Sequence, residues 1–116
     1  VPETLKIIES RLKEDRTLNE RTNLPVSVIM ELLELCTHFT YFELESKIYC
    51  QDEGMAMGSP LLPMFANIFM EEFEQKALAL TQFKPKIWWR DVDDTFVIFP
   101  HGDTELDAFL NHLNSI

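Results

Sequence analysis

Three aspartates lie close together in the segment Asp91-Val92-Asp93-Asp94-Thr95. Carboxylate oxygens suit Mg²⁺ or Mn²⁺, which bind through one or two carboxylates and take their other ligands from water and phosphates. Two such ions about 4 Å apart can activate an attacking hydroxyl and stabilise a leaving pyrophosphate in nucleotidyl transfer. The alternative is an ordinary Asp-Asp turn on the surface, which needs no metal.

Apolar segments flank these aspartates, with Ile87-Trp88-Trp89 before them and Phe96-Val97-Ile98-Phe99 after them. The pattern predicts two short strands joined by a tight turn of five residues, 91–95. Neighbouring carboxylates repel one another, so a sequence that places them between two apolar strands accepts an unfavourable interaction. A bound cation would offset this repulsion.

The loop Gln51–Ser59 is a second candidate for chemistry, because it holds both Gly54 and Gly58. A long helix is expected to follow it, from Pro63 to about Ala79, with residues 59–62 extended because a proline in the second helical turn would remove a hydrogen bond. Residues on one face of this helix are apolar: Leu62, Phe65, Phe69, Phe73, Ala77 and Leu80.

The remaining segments predict packing elements and an α+β fold without internal repeats. The expected elements are a helix from Pro2 to Lys13, a polar connector from Asp15 to Asn23, a helix from Pro25 to about His38, a hairpin from Tyr41 to Cys50 that turns at Glu45-Ser46-Lys47, and a last helix through Leu113 that is capped by Asp103 or Thr104.

The length of 116 residues fits one domain or a piece of one. The longest uncharged run, Gly54 to Met70, contains two prolines, which makes it a poor candidate for a membrane span. No secretory leader opens the sequence. Cys36 and Cys50 are therefore interpreted as reduced core thiols of an intracellular protein, with nucleus and cytoplasm both open.

Acidic residues outnumber basic ones by 20 to 10, which gives a net charge of −10. This balance is the opposite of the basic footprint of nucleic-acid-binding proteins. A local exception is the basic group Lys84, Lys86 and Arg90 just before the aspartates. These residues indicate a local electrostatic field of mixed sign.

The glycine loop and the aspartate turn together resemble reverse transcriptases. The segment Gly54-Met55-Ala56-Met57-Gly58-Ser59-Pro60 with its helix is similar to motif B of that family, and Val92-Asp93-Asp94-Thr95-Phe96 is similar to motif C. Within that family, the sequence most resembles the Penelope-like retroelement group. Three segments carry this resemblance: Tyr49-x-Gln51-x-x-Gly54-x-x-Met57-Gly58-Ser59-Pro60, Ala66-Asn67-Ile68-Phe69-Met70-Glu71 and Trp89-Arg90-x-Val92-Asp93-Asp94-Thr95-Phe96. Similarity at both ends of the chain extends the resemblance over nearly all of it.

The resemblance implies that residues 1–116 are a fragment of a reverse transcriptase domain, from the fingers and palm of a right-hand polymerase. The intact parent would be an RNA-directed DNA polymerase that uses Mg²⁺ (or Mn²⁺), an RNA template, a DNA primer and deoxynucleoside triphosphates. Another catalytic aspartate, from motif A, would lie on a strand before Val1. The resemblance therefore predicts that this fragment alone is inactive, and that its exposed sheet edge favours self-association.

Individual roles also follow from the resemblance. Asp93 would be the metal-binding carboxylate of motif C, with Asp94 as its neighbour, while Gly58, Ser59 and Pro60 would align the template and the incoming nucleotide. Gln51, Gly54 and Asn67 are weaker candidates for binding the nucleotide or template. Each also has a structural explanation, because Gln51 can end a strand, Gly54 can serve a bend and Asn67 can bond groups within its helix.

The aromatic and imidazole side chains near these motifs have less specific roles. Tyr49, Trp88, Trp89 and Phe96 could stack on nucleotides, although strand aromatics are more often core residues. The three histidines, His38, His101 and His112, lack metal-ligand spacing with the cysteines and are assigned to no site.

Departures from the family pattern suggest a decayed copy. Asp91 stands where the family usually has tyrosine, Leu62 where serine is common, and Glu45-Ser46 where a turn usually contains glycine. Two alternatives stay open: the palm of a group II intron or telomerase-type polymerase, and a non-catalytic interaction or structural fragment.

Overall fold

Helices and two antiparallel hairpins alternate along the chain in a computed structural model that describes residues 1–116. The arrangement confirms the α+β class. In chain order the elements are α1 (Pro2–Glu14), α2 (Leu18–Arg21), α3 (Val26–His38), β1 (Tyr41–Leu44), β2 (Lys47–Cys50), α4 (Leu62–Leu80), β3 (Ile87–Asp91), β4 (Asp94–Ile98) and α5 (Asp103–Ser115). None of the helices is long and apolar enough to cross a lipid bilayer.

The chain divides into two compact units, Val1–Phe69 and Met70–Ile116. In the first unit, Leu5 and Ile8 of α1 are buried together with Phe65 of α4. Partly buried apolar side chains complete this cluster: Val1, Leu12, Met30, Leu33, Met55, Leu61 and Ile68. The cluster explains the apolar residues at three- and four-residue steps in α1, because this spacing places them on one helix face.

Phe109 of α5 is the centre of the core in the second unit, where it is 3% exposed. Its ring lies 6.1 Å from Trp88, edge to face, and 5.2 Å from Phe99. His112 donates a hydrogen bond from Nε2 to the carbonyl oxygen of Ala77, at 2.9 Å, which ties α5 to α4. His112 thus has a structural contact within this unit.

The β1–β2 hairpin is paired from Tyr41 with Cys50 to Leu44 with Lys47, so its turn contains only Glu45 and Ser46. Both residues have positive φ, at 50° and 64°. That combination is typical of a type I′ turn, which suits the twist of a hairpin but favours Asn-Gly. The expected three-residue turn was one residue too long, because Lys47 belongs to the strand.

Four other local predictions were wrong. Residues 59–62 form a turn and not an extended segment, because the Leu62 N–H bonds the carbonyl of Ser59 at 3.1 Å and α4 begins at Leu62. Helix α2 interrupts the predicted connector. Helix α5 has Gly102 at its N-cap, with no side-chain cap. Both cysteines are exposed thiols and not core residues.

We expect Ser46→Gly to stabilise the protein by about 0.5 kcal/mol, because glycine adopts positive φ without steric strain, although it also makes the unfolded chain more flexible. Urea denaturation measures the change. Ser10→Gly, at an exposed position of helix α1, is the matched control and should destabilise by about 0.5 kcal/mol. Destabilisation by both changes would contradict the assignment of the turn.

Candidate functional site

The aspartate turn is tighter than the five residues expected from the sequence. Strands β3 and β4 pair from Ile87 with Ile98 up to Asp91 with Asp94, which leaves only Val92 and Asp93 in the turn. Val92 has a φ of 52°, whereas Asp93 has no positive φ. A positive φ at the first turn residue is typical of a type II′ turn, where glycine is favoured, so a β-branched valine there is strained.

Three carboxylates surround this turn. Asp91 lies opposite Asp94 in the ladder, and Asp93 lies between them along the chain. Like charges directly opposite each other on a hairpin are destabilising. All three aspartates are exposed, and none of the ion pairs in the structure involves Asp93 or Asp94. The turn therefore combines backbone strain with unneutralised negative charge.

The donor set of the turn fits Mg²⁺ or Mn²⁺ in its chemistry. Exposed carboxylate oxygens without a lysine or arginine partner are the ligands these ions prefer, and one or two of them suffice when water and phosphate supply the rest. Asp93 and Asp94 could provide them. No group of three or more acidic, histidine or cysteine side chains is arranged to hold a metal ion.

Glu74 of α4 anchors the hairpin from its inner face. Its Oε1 accepts hydrogen bonds from Trp88 Nε1 at 3.1 Å and from Arg90 Nε at 2.5 Å. The side chains of Arg90 and Glu74 are only 12% and 17% exposed, so water screens this ion pair weakly. Alternation along β3 places Trp88 and Arg90 on this face, which fixes the strand that ends at Asp91.

Glu74 was not among the site residues predicted from the sequence. Helical spacing nevertheless indicates that Glu74 is partly buried. It lies four residues after Met70 and three before the fully buried Ala77, and so on the buried face of α4. A carboxylate in that position needs a buried cation or donor. Arg90, interpreted from the sequence as part of a mixed field beside the aspartates, supplies it.

Trp89 and Phe96 occupy the opposite, outer face of the hairpin. Their side chains are 67% and 58% exposed, and their ring centroids lie 6.1 Å apart. The expectation that strand aromatics are core residues fits half-buried Trp88 but is wrong for this pair. It is also wrong for Tyr49, which is 43% exposed and stacks on Phe42 at 5.6 Å.

The glycine loop has positive backbone φ angles at both of its glycines. Gly54 and Gly58 have φ values of 77° and 89°, a region that other residues rarely adopt. No atom lies within 4 Å of the place where a Cβ of Gly58 would stand, so the space beside its backbone is open. Ser59 closes the loop, since its N–H bonds the carbonyl of Ala56 at 3.1 Å and its Oγ accepts from Leu61 at 3.4 Å.

Gln51 and Gly54 both have structural roles. The N–H of Gln51 bonds the carbonyl of Thr40 at 2.9 Å and so continues the ladder beyond β2. Its Nε2 donates to the carbonyl of Glu53 at 2.6 Å, and a Cβ on Gly54 would approach Nε2 to 3.2 Å. These contacts fit the structural explanations given above for the two residues.

The structure brings the predicted site residues together in two groups. Asp93 and Asp94 lie at the tip of one hairpin in the unit Met70–Ile116. Gln51, Gly58 and the Ser59-Pro60 pair belong to one loop in the unit Val1–Phe69, where Asn67 follows as an exposed residue of α4. A cavity of about 630 Å³ adjoins this loop and is lined by residues 1–2, 37–38 and 50–54.

Comparison with known proteins adds no family assignment. The chain matches no family model, no curated protein and no solved structure.

We expect Glu74→Ala to lower the free energy of unfolding by about 3 kcal/mol, because it removes the partner of a largely buried cation and an acceptor for Trp88. Chemical denaturation followed by tryptophan fluorescence measures the loss. Glu72→Ala is the matched control on the same helix, since half-buried Glu72 makes only a longer ion pair, at 3.8 Å, with the exposed Lys76. It should change the stability by less than about 0.5 kcal/mol. Equal effects would rule out the anchoring role of Glu74.

Proposed function

We propose that residues 1–116 are part of the palm of a reverse transcriptase from the Penelope-like retroelement group. The intact parent would be an RNA-directed DNA polymerase that adds deoxynucleotides to a primer 3′ hydroxyl on an RNA template. The observation that carries the proposal is the strained two-residue turn at which Asp93 and Asp94 are exposed and free of ion pairs.

The turn supports this proposal because its strain and charge repulsion destabilise the protein, and no contact within the chain offsets that destabilisation. Val92 is strained and Asp91 faces Asp94 across the ladder, yet the turn buries no side chain. Strain and unpaired charge concentrate at functional sites, where the surrounding structure holds them in place. The anchor from Glu74 to Trp88 and Arg90 is such a support.

Asp93 and Asp94 would hold the divalent ions, which when bound would lower the pKa of the attacking hydroxyl and stabilise the leaving pyrophosphate. The chain's own contribution is to fix the carboxylates on a rigid hairpin, so that little reorganisation is needed during reaction. The open space beside Gly58 supports a role of the glycine loop in admitting a base or phosphate close to the backbone.

One observation favours a second candidate, a non-catalytic interaction module. Trp89 and Phe96 expose a large aromatic surface beside Asp91, one of the residues at which the sequence departs from the family pattern. Exposed aromatic patches of this kind are typical of binding surfaces. The two candidate functions predict different effects of removing the Asp93 carboxylate on nucleotide incorporation.

The test is primer extension on an RNA template by a longer protein, in which the motif A strand precedes residues 1–116. Asp93→Asn should reduce incorporation at least about a hundredfold, because a metal ligand that positions both substrates is lost. Asp107→Asn, an exposed aspartate of α5, is the matched control and should keep full activity. Residues 1–116 alone are expected to be inactive.

Asp91→Tyr in the longer protein separates a decayed copy from a non-catalytic module. Restored tyrosine should raise incorporation if the third carboxylate impairs an otherwise competent site. Absence of incorporation both with and without Asp91→Tyr, or equal incorporation by the protein and its Asp93→Asn variant, would reject the polymerase assignment.

A further inference from the structure

Helix α3 is apolar on two opposite faces, and the first unit covers only one of them. On the covered face, Met30 and Leu33 pack against the buried cluster of that unit. The opposite face carries an apolar row with steps of four and three residues: Val28, Leu32, Leu35 and Phe39. Leu32 is 49% exposed, Leu35 57% and Phe39 61%. A helix that is apolar on both faces is normally buried on both, so this row is suited to docking.

An acidic row borders one side of this apolar row. Glu31 and Glu34 lie about one turn apart on α3, and both are exposed. Neither carboxylate is part of an ion pair in the structure. Lys6 and Glu9 of α1 line a neighbouring groove with Glu34, and their opposite charges leave this side of α3 acidic. Residues of both rows line a groove of about 600 Å³: Glu31, Glu34, Leu35, His38 and Phe39.

We propose that this surface docks an amphipathic helix of a partner protein that carries lysine or arginine along one side of its apolar face. The apolar side chains of the partner would fill the groove beside Leu35 and Phe39, as in helix-in-groove recognition. Its cations would lie beside Glu31 and Glu34, because charges that flank a helix seam select the partner and its orientation. The row from Val28 to Phe39 is about 16 Å long, so about three turns of the partner helix cover it.

A second copy of the chain is a poor occupant of this surface. In an antiparallel pair of helices each flank faces the same flank of the other helix, so Glu31 and Glu34 would meet their own counterparts. In a parallel pair each flank faces the opposite flank, and on α3 that flank carries Ile29 and Cys36 and no cation. Neither two-fold arrangement gives the two carboxylates a positive partner.

Nucleic acid and anionic membranes are also poor occupants. Each would bring phosphates towards Glu31 and Glu34, and the net charge of −10 adds to the repulsion. The same net charge attracts a basic helix from a distance, while the apolar and acidic rows determine where it docks. Docking on α3 requires neither a metal ion at the aspartate turn nor polymerase activity.

Binding of a dye-labelled synthetic peptide, followed by fluorescence anisotropy, tests the proposal. The peptide is a designed helix of about 18 residues with a leucine face and with lysines along one side of that face. Two matched peptides carry glutamine or glutamate in place of the lysines. The unmodified chain should bind the lysine peptide at least about tenfold more tightly than the glutamine peptide, and the glutamate peptide least of all.

Leu35→Ser removes an apolar side chain from the groove and should weaken binding of the lysine peptide at least about tenfold. Phe96→Ser, at a site that is 58% exposed on the β3–β4 hairpin, is the matched control and should leave the affinity unchanged. Circular dichroism checks that each variant is folded.

Charge reversal gives the sharper test. Glu31→Lys/Glu34→Lys should bind the glutamate peptide more tightly than the lysine peptide, because the charges beside the groove are then complementary with opposite sign. Glu14→Lys/Glu20→Lys is the matched control, since it changes the net charge equally at exposed positions of α1 and α2. This control should keep the preference for the lysine peptide.

Three binding results would overturn the proposal. The unmodified chain would fail to bind the lysine peptide up to about 1 mM, where even weak complexes form. Leu35→Ser would bind as tightly as the unmodified chain. The two double charge reversals would have equal effects, which would mean attraction to the net charge and not to the acidic row.

Three further results would identify another occupant and would equally overturn the proposal. Dimers in sedimentation velocity that Leu35→Ser abolishes would identify a second copy. Binding to phosphatidylserine vesicles that Leu35→Ser abolishes would identify a membrane. Failure of the longer protein used for primer extension to bind the lysine peptide would mean that its own upstream residues cover α3. Loss of polymerase activity in Asp93→Asn affects none of these measurements, so the two proposals fail separately.

Discussion

The contact between Glu74 and the two donors Trp88 and Arg90 is the interaction on which the aspartate hairpin depends. One carboxylate oxygen of α4 accepts from an indole and a guanidinium on neighbouring positions of one face of β3. Because the pair is only 12% and 17% exposed, breaking it would leave a poorly solvated charge. The hairpin is therefore held from one side, while its other side and its turn stay open.

This one-sided support explains the character of the candidate site. Phe109 packs edge to face against Trp88, so the inner face is both hydrogen-bonded and apolar. With that face fixed, β3 and β4 can hold a strained Val92 and two opposed aspartates at the turn. A rigid scaffold that carries unfavourable local features is what a preorganised cation site requires.

The sequence predicted the elements well where local rules decide them. Apolar spacing located α1 and α3, and apolar runs located β3 and β4 on either side of the aspartates. Turn lengths were wrong by contrast, because positive φ at Glu45, Ser46 and Val92 cannot be inferred from residues that rarely adopt it. Cross-strand register then made both turns shorter than expected.

Contacts distant in sequence were harder to predict. Glu74 and Arg90 are sixteen residues apart, and only packing of α4 on the hairpin brings them together. The same packing decides that Trp88 is half-buried whereas its neighbour Trp89 is exposed. Local rules indicate that adjacent strand residues face opposite sides, but they do not say which side is covered.

The most direct test of the central claim is paramagnetic broadening of amide NMR signals by Mn²⁺, added to the unmodified 116-residue chain, in which the turn is exposed. The account predicts that residues 91–95 lose intensity first, that Asp93→Asn removes this effect, and that Asp107→Asn does not. Broadening that is strongest at other acidic positions, or that is unchanged by Asp93→Asn, would contradict the claim that the paired aspartates bind divalent ions.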